Sequence, residues 1–293
     1  MKSFKKEKEG SEHNIPNGSS LTLLQRRIIT SVSIITVVGS ILLTAPAWTF
    51  ALLITFFIVL GLNEYFLLIQ RKDIGVNRKL GIALGVIVAL ATYFDYRIPY
   101  EWFFVFIPVI CLTIFIVQFT KKDNGSILSI STILFGLVYV SWFLSFFIRL
   151  RNMPELGTEL LRRQLIAFLI LVTKSGDIGA YLVGMKFGRH KLIPRISPKK
   201  TIEGMLGGLL LSILVALSSH LFLPSFSLLR LLILGFVLGA LAQVGDLSES
   251  LIKRDCGTKD SGNTLPGIGG ILDSIDSLLF TAPAMYFYIK VFM

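Results

Sequence analysis

The chain has 293 residues, 53% of them hydrophobic, a mean hydropathy of +0.73 and only 16% charged residues. Soluble domains carry about a quarter charged residues, so the composition excludes an ordinary soluble domain and indicates an integral membrane protein. A net charge of +11 raises nucleic acid as a partner, but the placement of the basic residues argues for membrane lipids and no nucleic acid.

In chain order, residues 1–26 begin "MKSFKKEKEGSEHNIPNGSS", polar and without apolar period, and read as a disordered basic tail. A helical span needs roughly 20 apolar residues. Nine stretches qualify, with loose boundaries: 27–45, 48–68, 80–95, 101–120, 126–149, 165–184, 205–223, 229–247 and 268–291. The first follows Arg26 and Arg27 and ends in Ala45-Pro46-Ala47, like a cleavable leader. It is long for that role and more spans follow, so it reads as uncleaved. With the tail inside, the loops place 21 basic residues on the cytoplasmic side and seven on the other. That asymmetry predicts a cytoplasmic N-terminus and explains the excess charge as topology and attraction to anionic headgroups. The expected fold is all-α, with about nine transmembrane helices and a polar cavity opening to the cytoplasmic face. Residues 27–165 form an N-terminal set of about five helices, and 166–293 a catalytic set of about four. Cys111 reads as packing and Cys256 as a reduced thiol. His220 reads as core or interface, and no CxxC or His/Cys metal pattern occurs.

Ionisable residues are nearly absent from the first five spans. Glu64 is the exception. An acid inside a span is a functional candidate, yet Glu64 sits near the end of its span and reaching the interface is an equal reading. Asp95, Arg97 and Glu101 read as solvated loop charge. Farther on, Lys174 and Asp177 lie three apart on one helix face and can pair, either within a site or simply to fix packing. Gly176, Gly179 and Gly184 beside them permit close helix contact. A basic loop follows, then "SPKKT" at 197–201. This reads as a helix start, with Ser197 as N-cap and Pro198 in the first turn. Such a start with two lysines is an anion site, for lipid or nucleotide phosphate.

The eighth span ends in "AQVGDLSESLIKRD", which puts Asp246, Glu249, Ser250 and Lys253 on one helical face. The ninth opens with "GGILDSIDS", so Asp273 and Asp276 share another. A loop rich in Gly, Asn and Pro joins them. It is either a polar cap or a hairpin that gathers carboxylates for Mg²⁺, a hard ion that prefers oxygen. Gly269 and Gly270 would let backbone N–H groups approach phosphate. Dense charge against a bilayer fits an enzyme of phosphoryl or nucleotidyl transfer that joins a lipid to a water-soluble polyanion.

At these residues the chain resembles the phosphatidate cytidylyltransferase (CDP-diacylglycerol synthase) family. The family's C-terminal signature is matched in order by Ser250, Lys253, Arg254, Lys259, Asp260, Gly262, Leu265, Pro266, Gly269, Gly270, Asp273 and Asp276. "GDIGAYLVGMKFGRHKL" and "ISPKKTIEG" also look like family segments. Two positions depart: Ile268 stands for a His and Ser274 for an Arg. The resemblance implies that CTP and phosphatidate give CDP-diacylglycerol and pyrophosphate, in phospholipid biosynthesis. It implies Mg²⁺, with a second cation as an open addition. Asp246 and Asp273 are the implied leading ligands, with Asp276, Glu249 and Asp260 as further ones. Lys199, Lys200, Lys253, Arg254 and Lys259 would hold phosphates, and Asp177 would order the site. Ser197, Thr201, Glu203, Ser250, Gly269 and Gly270 complete the implied substrate contacts. The implied setting is a bacterial-type inner membrane, with the site facing the cytoplasm and a homodimer open. Rival readings are a CTP-dependent polyprenol kinase-like enzyme and an ion-coupled transporter using Lys174, Asp177, Asp246 and Asp273. A CDP-alcohol phosphatidyltransferase is disfavoured, because its D-G-x2-A-R run is missing.

Overall fold

Inside a bilayer no water satisfies backbone N–H and C=O groups, so a spanning chain resolves into helices. The computed structural model describes residues 23–95, 102–120, 125–267 and 269–293. Tail residues 1–22, Arg97, Glu101, Lys121, Lys122 and Ile268 lie outside the described residues.

The helices are α1 (Leu23–Thr44), α2 (Ala47–Gln70), α3 (Arg78–Asp95) and α4 (Trp102–Phe119). Next come α5 (Ser126–Gly136) and α6 (Phe143–Asn152), joined without a break by a π-helical stretch, Leu137–Trp142. Then follow α7 (Glu159–Phe187), α8 (Ile202–Ser218), α9 (Leu228–Asp255) and α10 (Ile271–Phe292). Helices coincide with all nine predicted stretches, the α5–α6 rod counting as one. Among the described residues, seven helical rods are long and apolar enough to cross a membrane. The exceptions are α3 and α4, in which only Ile107–Phe119 is a shorter apolar helix. The protein is therefore an α-helical, multi-pass membrane protein.

One element departs from the all-α expectation. Lys191–Ile193 (β1) and Ser197–Thr201 (β2) form an antiparallel hairpin, with Lys191 opposite Thr201 and Ile193 opposite Ser197. "SPKKT" is thus a strand and not a helix start, and Ser197 is not an N-cap. Thr201 takes that role: its Oγ1 accepts from Gly204 N at 3.2 Å. The cap moved because a better one lies nearby. Thr201 already stands in extended conformation, and Glu203 adds an acid to the first turn of the helix.

Small residues bring α7, α8 and α9 together. A Cβ on Gly179 would sit 2.8 Å from Gly207 O, and one on Gly208 2.8 Å from Gly176 O. On α8's other side, a Cβ on Gly239 would meet Ser212 at 2.8 Å. α10 packs against α9 and α7, and also against α2 and α6. Gly245 of α9 lies against the α10 backbone at Asp276–Ser277. Large apolar side chains, among them Tyr65, Phe66, Phe147 and Phe168, fill the centre. The ends remote from the carboxylates are tied by Arg149–Asp95 at 2.8 Å and Arg151–Glu159 at 2.7 Å.

Overpacking a tight contact costs about 1–3 kcal/mol. Gly179→Ala should therefore lower the thermal unfolding midpoint in detergent. Gly39→Ala, where a Cβ meets nothing within 4 Å, should not. Equal midpoints for the two variants would show that the α7–α8 contact is not tight.

Candidate active site

Where α7, α8 and α9 meet under the hairpin, they enclose a cavity of about 400 Å³. Its polar lining includes Asp177, Lys199, Lys200, Thr201, Gln243 and Asp246, and its apolar lining Met185, Leu192, Met205 and Leu247. β2 carries Lys200 across to α9, where its Nζ pairs with Asp246 Oδ2 at 2.6 Å. Lys174 and Asp177 pair at 2.9 Å, as their spacing predicts. Ser277 Oγ of α10 lies 2.9 Å from Asp177 Oδ2 and 2.8 Å from Lys174 Nζ. Asp276, buried beside Ser277, lies in the electrostatic field of Asp246, Lys174 and Asp177.

The wall continues toward the start of α10. Lys253 of α9 bridges Glu249 and Asp273. Asp273 Oδ2 accepts from Gly270 N at 3.0 Å, in the back-reaching half of a capping box. It also lies 2.9 Å from Ser261 Oγ. The cap residue, Gly270, has no side chain with which to serve the next N–H groups. An oxygen donor set from another helix serves them instead. Glu64 of α2 accepts from Ile271 N at 3.0 Å and from Leu272 N at 2.8 Å. It also accepts from Thr264 Oγ1, and Ser261 Oγ lies 3.2 Å from its Oε2. Ser261 has one hydroxyl proton, so it serves Asp273 and Glu64 one at a time.

The predicted residues divide accordingly. Asp177, Lys199, Lys200, Thr201 and Asp246 line the cavity. Glu249, Lys253, Asp273 and Asp276 form the wall between α9 and α10, with Ser250 buried beside them. Ser197 stays at the far end of β2, where it pairs with Ile193. Glu203 turns away from the cavity: it accepts from Arg189 N at 3.0 Å and meets His190 Nδ1 at 2.6 Å, which fastens the hairpin to α8. Arg254 acts as a tie, donating to Ile196 O at 3.0 Å and Thr258 O at 3.2 Å. Lys259 and Asp260 stand exposed on the loop.

Gly269 and Gly270 do not offer free N–H groups to phosphate. Gly269 N donates to Leu265 O at 3.0 Å, and Gly270 N is held by Asp273. Gly269 is required for its backbone, with φ of +125°. Ser274 Oγ donates to Gly270 O at 3.2 Å, inside its own helix. Cys256 is buried at the loop's root. Burial first, and the charge of Asp255 second, hold its thiol above the ordinary range. It is not poised as a thiolate.

Residue typing did not single out Tyr139. It lies in the π-helical stretch, a frequent mark of functional positions. Its hydroxyl is buried without a partner among the described residues and stands in the field of Asp276, Glu249 and Asp246. Five carboxylates (Asp177, Asp246, Glu249, Asp273 and Asp276) share this wall, with three ammonium groups (Lys174, Lys200 and Lys253) paired to them. Glu249 is fully buried and has Lys253 as its ion-pair partner. An all-oxygen, charge-rich donor set of this kind fits a hard divalent cation. Among the described residues, however, no three acidic, His or Cys side chains form a ready-made metal cage.

A profile described as the cytidylyltransferase family matches residues 25–292. The chain is 35% identical over 289 residues to the phosphatidate cytidylyltransferase of Synechocystis sp., covering 90% of this chain and 96% of that protein. It is 38% identical over 175 residues to the phosphatidate cytidylyltransferase of Bacillus subtilis, covering 58% and 62%. An Escherichia coli protein named as the uncharacterized protein YnbB is 35% identical over 261 residues, covering 86% and 82%.

Removing one partner of a buried ion pair strands the other, at about 3–5 kcal/mol. Lys253→Met should strand both Glu249 and Asp273 and lower stability toward chemical denaturation by that order. Lys200→Met, whose partner Asp246 is 39% exposed, should change stability far less. A Lys253→Met protein as stable as the parent would mean that this lysine is not the wall's counter-charge.

Proposed function

We propose, on the premise that this chain belongs to the cytidylyltransferase family, that it transfers CMP from CTP to phosphatidate and releases pyrophosphate. One observation carries the reading to these residues. A single cavity brings together two lysines on a strand, the carboxylates of α7 and α9, and an apolar flank. Phosphate groups need the first, a cation the second and an acyl-bearing substrate the third.

A phosphatidate oxygen attacks the α-phosphorus of CTP. The new P–O bond forms as the bond to the β-phosphate oxygen breaks, and that oxygen leaves with the electron pair as pyrophosphate. The nucleophile is already an anion, so no side chain has to remove a proton, and Ile268 in place of a His does not block the chemistry. Lys199 and Lys200 hold phosphate oxygens from the hairpin, and Lys200 exchanges Asp246 for substrate as it does so. Asp177, locked by Lys174 and Ser277, fixes the opposite wall. Lys253 keeps Asp273 aligned. Asp246 and Asp273 would be the leading ligands of Mg²⁺, with Asp276 and Glu249 as further ones. Among the described residues no three of them form a ready-made cage, so they would have to gather about the ion, which would neutralise the charge developing on the leaving group. Preorganised charge of this kind is the main source of catalysis in such transfers.

The rival kinase would leave CDP from CTP, and a transporter would leave CTP intact. Incubation of the purified protein with CTP, phosphatidate and Mg²⁺ should yield CDP-diacylglycerol and pyrophosphate by mass spectrometry. CDP without pyrophosphate would support the kinase. Asp246→Asn and Asp273→Asn should each remove most turnover while the protein stays folded. Their combined loss should fall well short of the product of the single losses, as for residues acting as a unit. Independent, multiplying losses would dissolve the shared site.

We also place the site on the cytoplasmic face of a bacterial-type inner membrane. The 21-to-7 division of basic residues supports this, and CTP is available there. In intact cells, a cysteine replacing exposed Lys259 should resist an impermeant thiol reagent, and one replacing exposed Arg230 should react. The reverse pattern would invert the topology.

A further inference from the structure

We infer that Glu64 is a positioning residue for the reaction: from α2 it sets the start of α10 and thereby the carboxylate of Asp273. The inference rests on the function proposed above.

Three sets of contacts converge on it. Glu64 is 2% exposed, and its two oxygens serve Ile271 N, Leu272 N and Thr264 Oγ1. These are the first two N–H groups of α10 and a hydroxyl of the preceding loop. The Ser261 hydroxyl lies between Glu64 Oε2 and Asp273 Oδ2, at 3.2 and 2.9 Å. Lastly, the glycines around it leave the room it occupies. A Cβ on Gly262 would lie 2.7 Å from Glu64 Oε1. One on Gly270 would lie 2.6 Å from Glu64 Oε2 and 3.0 Å from Asp273 Oδ2. Gly262 and Gly270 both belong to the glycine-bearing loop before α10. The Glu64 carboxylate leaves no room for a side chain at Gly262, and at Gly270 the Ser261 hydroxyl, which such a Cβ would strike, excludes one together with Glu64.

The physical need is specific. Gly270 caps α10 without a side-chain oxygen, and the helix begins inside the bundle, away from water. Unserved N–H groups there are costly, and the positive end of the helix favours an anion. Two acids meet at that end. Asp273 takes the N–H of Gly270, and Glu64 takes the next two. If Glu64 is lost, the loop and the first turn of α10 loosen together, and Asp273 loses its aim at Lys253 and the cavity wall. Glu64 touches no substrate in this scheme.

The experiment uses the full chain in detergent, with Glu64→Gln and Gly262→Ala. The first keeps size and removes the anion. The second leaves Glu64 in place and intrudes on its oxygen. Both should speed hydrogen–deuterium exchange in the segment 261–276, with the remote ends of α2 and α10 unchanged. Both should lower kcat for CDP-diacylglycerol formation on the order of a hundredfold, the scale of an ångström-sized misplacement, while KM for CTP stays within about threefold. Glu64→Asp, which keeps the charge, should recover part of the kcat lost in Glu64→Gln. Faster exchange with unchanged kcat would make Glu64 a stabilising cap only and overturn the inference. A lower kcat with unchanged exchange would overturn it too, since Glu64 would not act through α10. If the parent protein makes no CDP-diacylglycerol, the proposed function fails. The exchange arm still reports whether Glu64 holds the loop.

Discussion

A helix that starts inside a protein must find acceptors for its first N–H groups, and the start of α10 sets the terms for the rest of this site. Gly245 of α9 packs at the level of Asp276 of α10. By helical rise, α10 therefore begins roughly 7 Å short of the end of α9. The loop must descend into the bundle to reach it. Glu64, six residues before the end of α2, waits at that depth. Because the helix starts low, Asp273 and Asp276 stand level with Lys253, Glu249 and Asp246, and not above them in solvent. One buried cap thus brings two acidic helix faces into one wall.

That wall would be untenable as isolated charges. An ionised group placed at the centre of a membrane helix costs about 2.5–3.5 kcal/mol on insertion scales, and like carboxylates at close range resist common ionisation. The fold answers with lysines from three elements. Lys174 comes from α7, Lys200 from β2 and Lys253 from α9. Their burial differs, and so does what they do. Lys253, 11% exposed, bridges two acids and belongs to the scaffold. Lys200, 27% exposed and paired with the more open Asp246, is the pair that solvent or substrate can separate. The negative charge left over is what a divalent cation would meet.

Most of the scaffold was legible in the sequence, because membrane helices are written in runs of apolar residues and small-residue contacts in spaced glycines. The pairing of Lys174 with Asp177 was legible as well, since three-residue spacing fixes the face. "SPKKT" was not. Its Ser-Pro pair imitates a helix start, and only the competition with Thr201 and Glu203 four to six residues on decides where the helix begins. Glu203 resembles a substrate contact in the sequence, although its partners are the backbone N–H groups of Arg189 and His190, which residue type alone does not reveal. Glu64 stands out in the sequence as an acid inside a span, but the sequence does not decide between a site and the interface. Its role depends on a loop some 200 residues away, a separation beyond any local pattern. The glycines at 269 and 270 were read for phosphate because glycine bares the backbone. Here the two N–H groups go to Leu265 O and to Asp273.

The division of labour along the chain also explains why the chemistry needs the N-terminal helices at all. Nearly every charged side chain of the site lies after residue 170, yet the wall they form has no rigid floor of its own. The loop 256–270 carries five glycines and one proline, which leave its path poorly determined by local preference. Its shape is imposed from outside, by Glu64 below and by Arg27 and Thr30 of α1, which donate to Gly267 O at 2.5 Å and Pro266 O at 2.9 Å. A glycine-bearing loop becomes a defined support for the carboxylate wall only because two apolar helices present three polar side chains to it. The same arrangement leaves the cavity's other edge to the hairpin, whose Lys200 is held only by a partly exposed pair with Asp246. One edge is held for the carboxylates by buried contacts, and the other offers a lysine whose partly exposed pair a polyanion can displace as it enters and leaves, which suits a site that must release pyrophosphate to water while its lipid product stays in the membrane.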